Sequence, residues 1–267
     1  MFSKNSFATT DSSHLHISNK FETPPRQNSS LHMVTSLSPT PPPTYQLSCA
    51  ADGFIAFEDT TCVPSLVLAA HGKILELGPG PGNQLQRFDP SRVDFIYAVE
   101  PNAQYADHIA AKLKRLDLQD KYKLLACGVE DSEILRSEGV TEGSMDTVLS
   151  IQVLCSVGDV KSVMREVWKL LKPGGSFIFW EHEKNKDTAT GIAQGTYWFL
   201  SKLSGVTNTR IACLNPAWST FIGCHLTRHI KADILAAGEW ENPDEIEVAQ
   251  DPYTCLPRIW GVLKKKA

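Results

Sequence analysis

Hydrophobic positions along the chain fall into two rhythms. Short apolar runs bounded by turn residues predict buried strands at Lys73–Gly78 (KILELG), Asp94–Glu100 (DFIYAVE), Tyr122–Ala126, Thr147–Ile151 and Ser176–Glu181 (SFIFWE). Between them, apolar residues recur at helical spacing. Tyr105, Ile109, Leu113 and Leu116 predict a helix over Asn102–Leu116. Val160, Val163, Met164, Val167 and Leu171 predict another over Val160–Leu171, which Pro173–Gly174–Gly175 should stop. Strands alternating with helices make βαβ units, so the expected class is α/β, a parallel sheet with helices on both faces. The last third changes character. Gly191–Leu203, with its aromatic Tyr197, Trp198 and Phe199, Ala217–Cys224 and Thr227–Ala237 are helix candidates. Glu245–Ala249 and Arg258–Leu263 alternate like strands, and the short Asp251–Pro257 connection suits an antiparallel pair.

Residues 1–45 carry neither rhythm. Of these 45 residues 21 are Ser, Thr or Pro, and SLSPTPPPT (Ser36–Thr44) leans to polyproline. Such a segment buries too little apolar surface to offset the entropy of ordering it, so a disordered tail is expected. The domain proper is expected over 46–267, with cap helices within 188–237 and a candidate lid between Tyr45 and Lys73.

Composition narrows the function. A hydrophobic fraction of 42% and a charged fraction of 21% are those of an ordinary globular chain. A net charge of -4 and no basic patch speak against nucleic acid as partner. The longest apolar run, around Leu66–Ala70, is a handful of residues against the roughly 20 of a membrane span, so no transmembrane segment is expected. The first residues lack both a presequence pattern and a signal-peptide core, which makes a cytoplasmic location the expectation. Seven scattered cysteines without a Cys-x-x-Cys pair argue for a reducing compartment and against a disulfide scaffold or structural zinc; no metal is expected.

The candidate chemistry sits at Leu75–Asn83, LELGPGPGN. Gly78, Gly80 and Gly82 follow directly on a strand, where glycine permits a sharp turn and close approach of a ligand to the main chain. Free N–H groups at the start of the next helix would favour ligand acceptor atoms. Glu100, at the end of the second strand, can accept from both ribose hydroxyls of an adenosine ligand. The glycine spacing is G-x-G-x-G, not the dinucleotide pattern G-x-G-x-x-G.

With Glu76 in front, E-x-G-x-G-x-G resembles motif I of the class I S-adenosylmethionine-dependent methyltransferases. Asp146 within GSMDTVLS and the LLKPGGSFIFWEH segment (Leu170–His182) match the class in order. Val153–His182 together with Asn215–Arg228 (NPAWSTFIGCHLTR) is similar to the methyltransferase-like protein 7 family, described as thiol methyltransferases of small molecules. The resemblance covers roughly residues 70–267. It implies a Rossmann-like, seven-stranded, mostly parallel sheet with an antiparallel last strand. It implies S-adenosyl-L-methionine as cofactor and a small-molecule acceptor, thiol or hydroxyl; the aromatic, apolar last third suggests a compact hydrophobic one, such as a secondary metabolite. Those relatives carry an apolar N-terminal anchor where this chain has its Ser/Thr/Pro tail, so membrane attachment is not implied.

By the same resemblance Gly78, Gly80 and Gly82 shape the turn around the cofactor's methionine portion, and Glu76 bonds near its amino group. Pro101 and Asn102 flank the adenosine, Val129 packs on adenine, and Glu130 accepts from the exocyclic amine. Gln152 through Cys155 face the sulfonium. His182 borders the acceptor pocket and is the first choice for a base, ahead of His225 and Glu181. Blander readings stand beside these. Glu76 can cap the turn, Asp146 can be structural, Cys155 can be a small buried residue, and His225 and His229 can be capping residues. Tyr197, Trp198 and Trp218 can line a pocket or form core. A methyltransferase fold that binds cofactor without transferring methyl, as a scaffold or cyclase-like catalyst, is the alternative function.

Overall fold

The computed structural model describes residues 51–186, 223–250, 254 and 256–267. In chain order the elements are α1 (Ala51–Glu58), α2 (Val63–Leu68), β1 (Gly72–Leu77), β2 (Val93–Val99), α3 (Ala106–Leu116), β3 (Tyr122–Leu125), α4 (Ser132–Ser137), β4 (Met145–Ile151), α5 (Val160–Leu170), β5 (Leu171–His182), α6 (Ile230–Leu235), β6 (Glu247–Val248) and β7 (Arg258–Lys264). The strands form one sheet in the order β3-β2-β1-β4-β5-β7-β6. The pairs from β3 across to β5 are parallel; β7 runs antiparallel to both β5 and β6.

Alternation along the strands divides the core in two. Leu75, Leu77, Val148, Phe177 and Phe179 pack with the buried stripe of α5 (Val160, Val163, Met164, Val167, Leu170) and with Ile230 and Ile234 of α6. Their strand neighbours Ile74, Ile96, Ala98, Leu149, Ile178 and Trp180 pack the other way, against Val63 and Val67 of α2 and Ile109 and Leu113 of α3. Period 2 in the strands and period 3.6 in the helices therefore meet on both faces. Asp159 caps α5 by accepting from the Lys161 N–H at 3.1 Å.

Several expectations need correction. No α-helix follows the glycine turn. A single 3₁₀ turn at Leu85–Arg87 stands there, because Asp89–Pro90 cuts the connection short before β2. The helix expected over Asn102–Leu116 opens with a 3₁₀ turn, Ala103–Tyr105, capped by Asn102. Helix α5 stops at Leu170; Leu171 is extended and pairs with Met145. Pro173–Gly174–Gly175 then lies inside β5 rather than ahead of it. The irregular register there is held by bonds from the Gly174 N–H to the Lys265 carbonyl and from the Lys265 N–H to the Gly175 carbonyl. The helix expected over Thr227–Ala237 shortens to α6, and the Glu245–Ala249 strand to two residues. Asp146, by contrast, is structural as expected: it accepts from the Lys73 N–H (2.9 Å) and pairs with Lys172 (2.5 Å).

The tail expected at 1–45, the helix expected at Gly191–Leu203, most of the one expected at Ala217–Cys224, and Tyr197, Trp198 and Trp218 lie outside the described residues. Among the described residues no helix is long and apolar enough to cross a membrane.

Candidate active site

A cavity of about 540 Å³ lies at the carboxyl ends of β1, β4 and β5. In open α/β sheets ligands bind where strand order reverses, which here is between β1 and β4. Phe54, Phe57 and Glu58 of α1, the candidate lid segment, close one side. Thr254, Leu256 and Arg258 close another.

The first wall is the glycine turn. Gly78 (φ 53°) and Gly80 (φ 52°) hold left-handed backbone that favours glycine. A Cβ on Gly80 would meet nothing within 4 Å, so the main chain there borders open space. The Gly80 N–H donates to Glu100 Oε2 (3.1 Å), and the Asn102 N–H donates to Glu100 Oε1 (2.9 Å). Burial raises the Glu100 carboxyl above its ordinary value, against the pull of these two N–H groups. Each oxygen of a carboxylate has capacity for a second bond, which leaves one acceptor position on each for a ligand hydroxyl.

Glu76 is fully buried at the cavity wall, and burial pushes it up to about 7. Its Oε2 accepts from the Tyr122 hydroxyl (3.1 Å), while its Oε1 has no partner. Asn83 Oδ1, on the same wall, is also buried without a partner. Two unpartnered buried acceptors in one cavity are the complement of a ligand with ammonium donors.

Glu76, Gly78, Gly80, Gln152 and His182 thus come together around one cavity. The other expected site residues do not line it. Gly82 faces a smaller recess with Lys112. Glu100 stands behind the turn, Val129 is buried in the loop after β3, Asn102 is buried, and Pro101 and Glu130 are exposed.

A polar chain that sequence reasoning missed crosses the cavity. Glu58 accepts from Arg87 (2.6 Å), from Gln84 Nε2 (3.0 Å) and from Gln152 Nε2 (3.0 Å). Gln152 Oε1 accepts in turn from Arg258 (3.1 Å). The Arg258 guanidinium lies 4.5 Å over the Trp180 ring, and burial lowers it to about 10. Gln152 has positive φ (60°), uncommon for a residue with a side chain, and this strain is held by both ends of its amide. A charged residue at the end of an amphipathically mixed segment is the only signal Glu58 offered.

The far wall is soft rather than charged. His182 Nδ1 lies 3.4 Å from Cys155 Sγ, and Cys155 Sγ lies 3.1 Å from Cys224 Sγ. His182 Nε2 is buried with no partner. Behind this wall Glu181 is fully buried and pushed up by burial to about 7. It accepts from Ser150 Oγ (2.7 Å) and from the N–H groups of Val153 (3.0 Å) and Leu154 (3.1 Å). Its role is to hold the loop after β4. His225, at the chain's surface, gives its backbone N–H to the Cys155 carbonyl (2.8 Å).

Sheet order, reversed last strand and glycine-turn cavity together define a class I methyltransferase fold. The methyltransferase domain family matches residues 75–179, from β1 into β5. The chain is 30% identical over 192 residues to thiol S-methyltransferase TMT1B of Rattus norvegicus, covering 69% of this chain and 66% of that one. It is 30% identical over 157 residues to thiol S-methyltransferase TMT1A of Homo sapiens, covering 58% and 54%. The match thus spans just under two thirds of the rat relative and about half of the human one. Among solved structures, the N-methyltransferase NodS from Bradyrhizobium japonicum WM9 superposes with a TM-score of 0.51 at 12% identity, covering 81% of this chain and 99% of that one. An O-methyltransferase family protein from Burkholderia thailandensis gives 0.51 at 14% identity, covering 81% and 58%. At such identity the likeness is one of fold. The matched segment, residues 75–179, is a methyltransferase domain, and the cofactor of this fold class is S-adenosylmethionine.

The residues present fit that cofactor. Glu76 Oε1 and Asn83 Oδ1 are unpartnered acceptors for an ammonium, the space over Gly80 admits a chain against the backbone, and Glu100 keeps acceptor capacity for ribose hydroxyls.

Proposed function

We propose that this chain methylates the sulfur of a small, largely apolar thiol. The observation that carries the reading is one continuous cavity with two unlike ends. Unpartnered acceptors and a glycine turn stand at one end, and Phe54, Phe57, Ile151 and Leu256 with His182 and Cys224 line the rest. Its volume falls within the range for small-molecule sites, with room for a compact acceptor of secondary-metabolite size. The names of the rat and human relatives agree with a thiol acceptor.

The residues then have the following work. Glu100 holds the ribose and Glu76 the ammonium, with Gly78, Gly80 and Gly82 shaping the turn. Pro101, Asn102, Val129 and Glu130 border the adenosine beyond the main cavity. Gln152, fixed between Glu58 and Arg258, orients the reacting end. S-adenosylmethionine supplies an electrophilic methyl carbon on a sulfonium. Charge is neutralised in such a transfer, so the walls contribute alignment and water exclusion more than charge stabilisation. A thiol of pKa about 8.5 is already partly ionised near neutral pH, so a dedicated base is dispensable. His182 is assigned to placing the acceptor sulfur.

The test is direct product detection. The full chain with methyl-deuterated S-adenosylmethionine and a panel of small aryl and alkyl thiols, phenols and amines is followed by mass spectrometry. Deuteromethyl thioethers with matching S-adenosylhomocysteine are expected. Methylation of phenols or amines in preference to every thiol would overturn the assignment.

A further inference from the structure

Cys155, His182 and Cys224 place one ligand atom each within 4.8 Å of one another, and all three side chains are buried. The geometry points to a single zinc-type ion held by these three residues, with a fourth position open to the cavity for the sulfur of the acceptor thiol. The second half of this inference rests on the thiol reading above.

Donor chemistry favours a soft or borderline ion. Two sulfurs and an imidazole suit zinc, and three protein ligands with one open position are the pattern of catalytic rather than structural zinc sites. Two thiolates and a neutral imidazole also balance a divalent charge, which a buried site requires. The open position follows from placement: His182 and Cys224 both line the cavity. Tetrahedral zinc with sulfur at about 2.3 Å holds two sulfurs roughly 3.8 Å apart. The observed 3.1 Å therefore asks for a modest spreading on binding.

The ligands are also held in place by bonds from residues close to them in the chain. Glu181, next to His182, grips the Val153 and Leu154 N–H groups just before Cys155. The Cys155 carbonyl accepts from the His225 N–H, next to Cys224 (2.8 Å). Arg228 donates to the Leu154 carbonyl (2.9 Å), tying the same two segments again. Three stretches up to 69 residues apart are thus cross-braced at their ligands. A site built this way shows no Cys-x-x-Cys spacing, which is why local spacing excluded it. A disulfide-forming pair would need neither the imidazole nor an opening to the cavity.

At the fourth position the acceptor would bind as thiolate, its proton passing to solvent. Its sulfur lone pair would form the new sulfur–methyl bond. The bond from that methyl to the sulfonium breaks, and its electron pair stays on the departing sulfur. No oxidant or reductant is needed.

The experiment uses the full chain, reduced, stripped by chelator and titrated anaerobically with Co²⁺, then with Zn²⁺. One cobalt per chain is expected, with tetrahedral d–d bands and thiolate charge-transfer absorption that zinc displaces. Zinc binding to the wild type should release about two protons, one from each thiol. Cys224→Ser, checked for folding by its circular dichroism, should weaken uptake by more than about 100-fold, beyond the usual effect of outer-shell partners. Failure of the wild type to bind tetrahedral cobalt, or an undiminished signal in Cys224→Ser, overturns the metal site. Addition of a thiol acceptor should shift the charge-transfer band. A band unmoved by thiols that are methylated, or methylation undiminished by chelator, overturns the acceptor role alone and leaves the thiol methyltransferase reading standing. Absence of any thioether product overturns that reading without touching cobalt binding.

Discussion

Glu76, on one wall of the cavity, and Glu181, behind the opposite wall, occupy matching places in their strands. Each is the last but one residue of a central strand, each is fully buried, and burial raises each to about 7. Their partners differ. Three donors satisfy Glu181, and all of them belong to the end of β4 and the loop behind it. Glu76 has one donor, Tyr122, and a buried Oε1 without a partner at the wall of the glycine-turn cavity. Equal burial and an equal shift therefore accompany opposite purposes. The satisfied carboxylate braces a loop; the unsatisfied one is kept for a ligand. Perturbation by itself marks neither as functional, and the partner list separates them.

The largest expected effect falls on the brace. Glu181→Ala leaves three donors without an acceptor and should lower unfolding stability by about 4 kcal/mol, at roughly 1–3 kcal/mol for each orphaned group. Urea denaturation reads this, while cofactor affinity of the folded fraction should stay within about threefold of wild type. A large affinity loss would erase the contrast with Glu76.

Next comes pH. A carboxyl whose folded pKa lies above its ordinary value of 4.5 keeps a proton that the unfolded chain gives up. The stability it contributes is present below about pH 4.5 and is lost as pH rises through about 7. For Glu76 this is roughly 3 kcal/mol at 1.4 kcal/mol per pH unit. Glu76→Gln should therefore be the more stable protein at pH 8, by thermal or urea unfolding of the ligand-free chain. Equal stability of variant and wild type at pH 8 would mean Glu76 is already relieved by something other than a ligand.

The same substitution carries a smaller opposite effect on binding. An ammonium favours ionised Glu76, so wild-type affinity for S-adenosylmethionine should rise from pH 5 towards 7. Glu76→Gln should flatten that rise and weaken binding about 20-fold at pH 7.5, near the 1.5–3 kcal/mol of a charged hydrogen bond. Smallest is Gly80→Ala. Its left-handed φ costs roughly 1 kcal/mol with a Cβ present, and the new methyl stands in open space. Fold stability should fall only slightly, and cofactor affinity about tenfold.

The same contrast explains what was legible in the sequence. Glu76, the three glycines and Glu100 lie within one strand, one turn and the next strand end, so local pattern and spacing reach them. The sheet was legible too, because central strands buried on both faces stand out as apolar runs. The Cys155, His182 and Cys224 wall is assembled from three distant segments, and no local spacing announces it. Helix α1 inverts the usual pattern: Phe54 and Phe57 are largely exposed at the cavity mouth while Glu58 is buried with Arg87. A reading that sends apolar residues in and charges out cannot place it. The Pro173–Gly174–Gly175 stop was real but late, since pairing with β4 and with Lys265 drew those residues into β5.

The most direct test of the cofactor end is calorimetric titration of the full chain with S-adenosylmethionine and S-adenosylhomocysteine, wild type beside Glu100→Ala. One-to-one binding is expected, and Glu100→Ala should weaken it more than about 100-fold, as loss of two charge-assisted bonds would. Folded wild-type protein that binds neither ligand, or binding that Glu100→Ala leaves intact, would contradict the cofactor assignment.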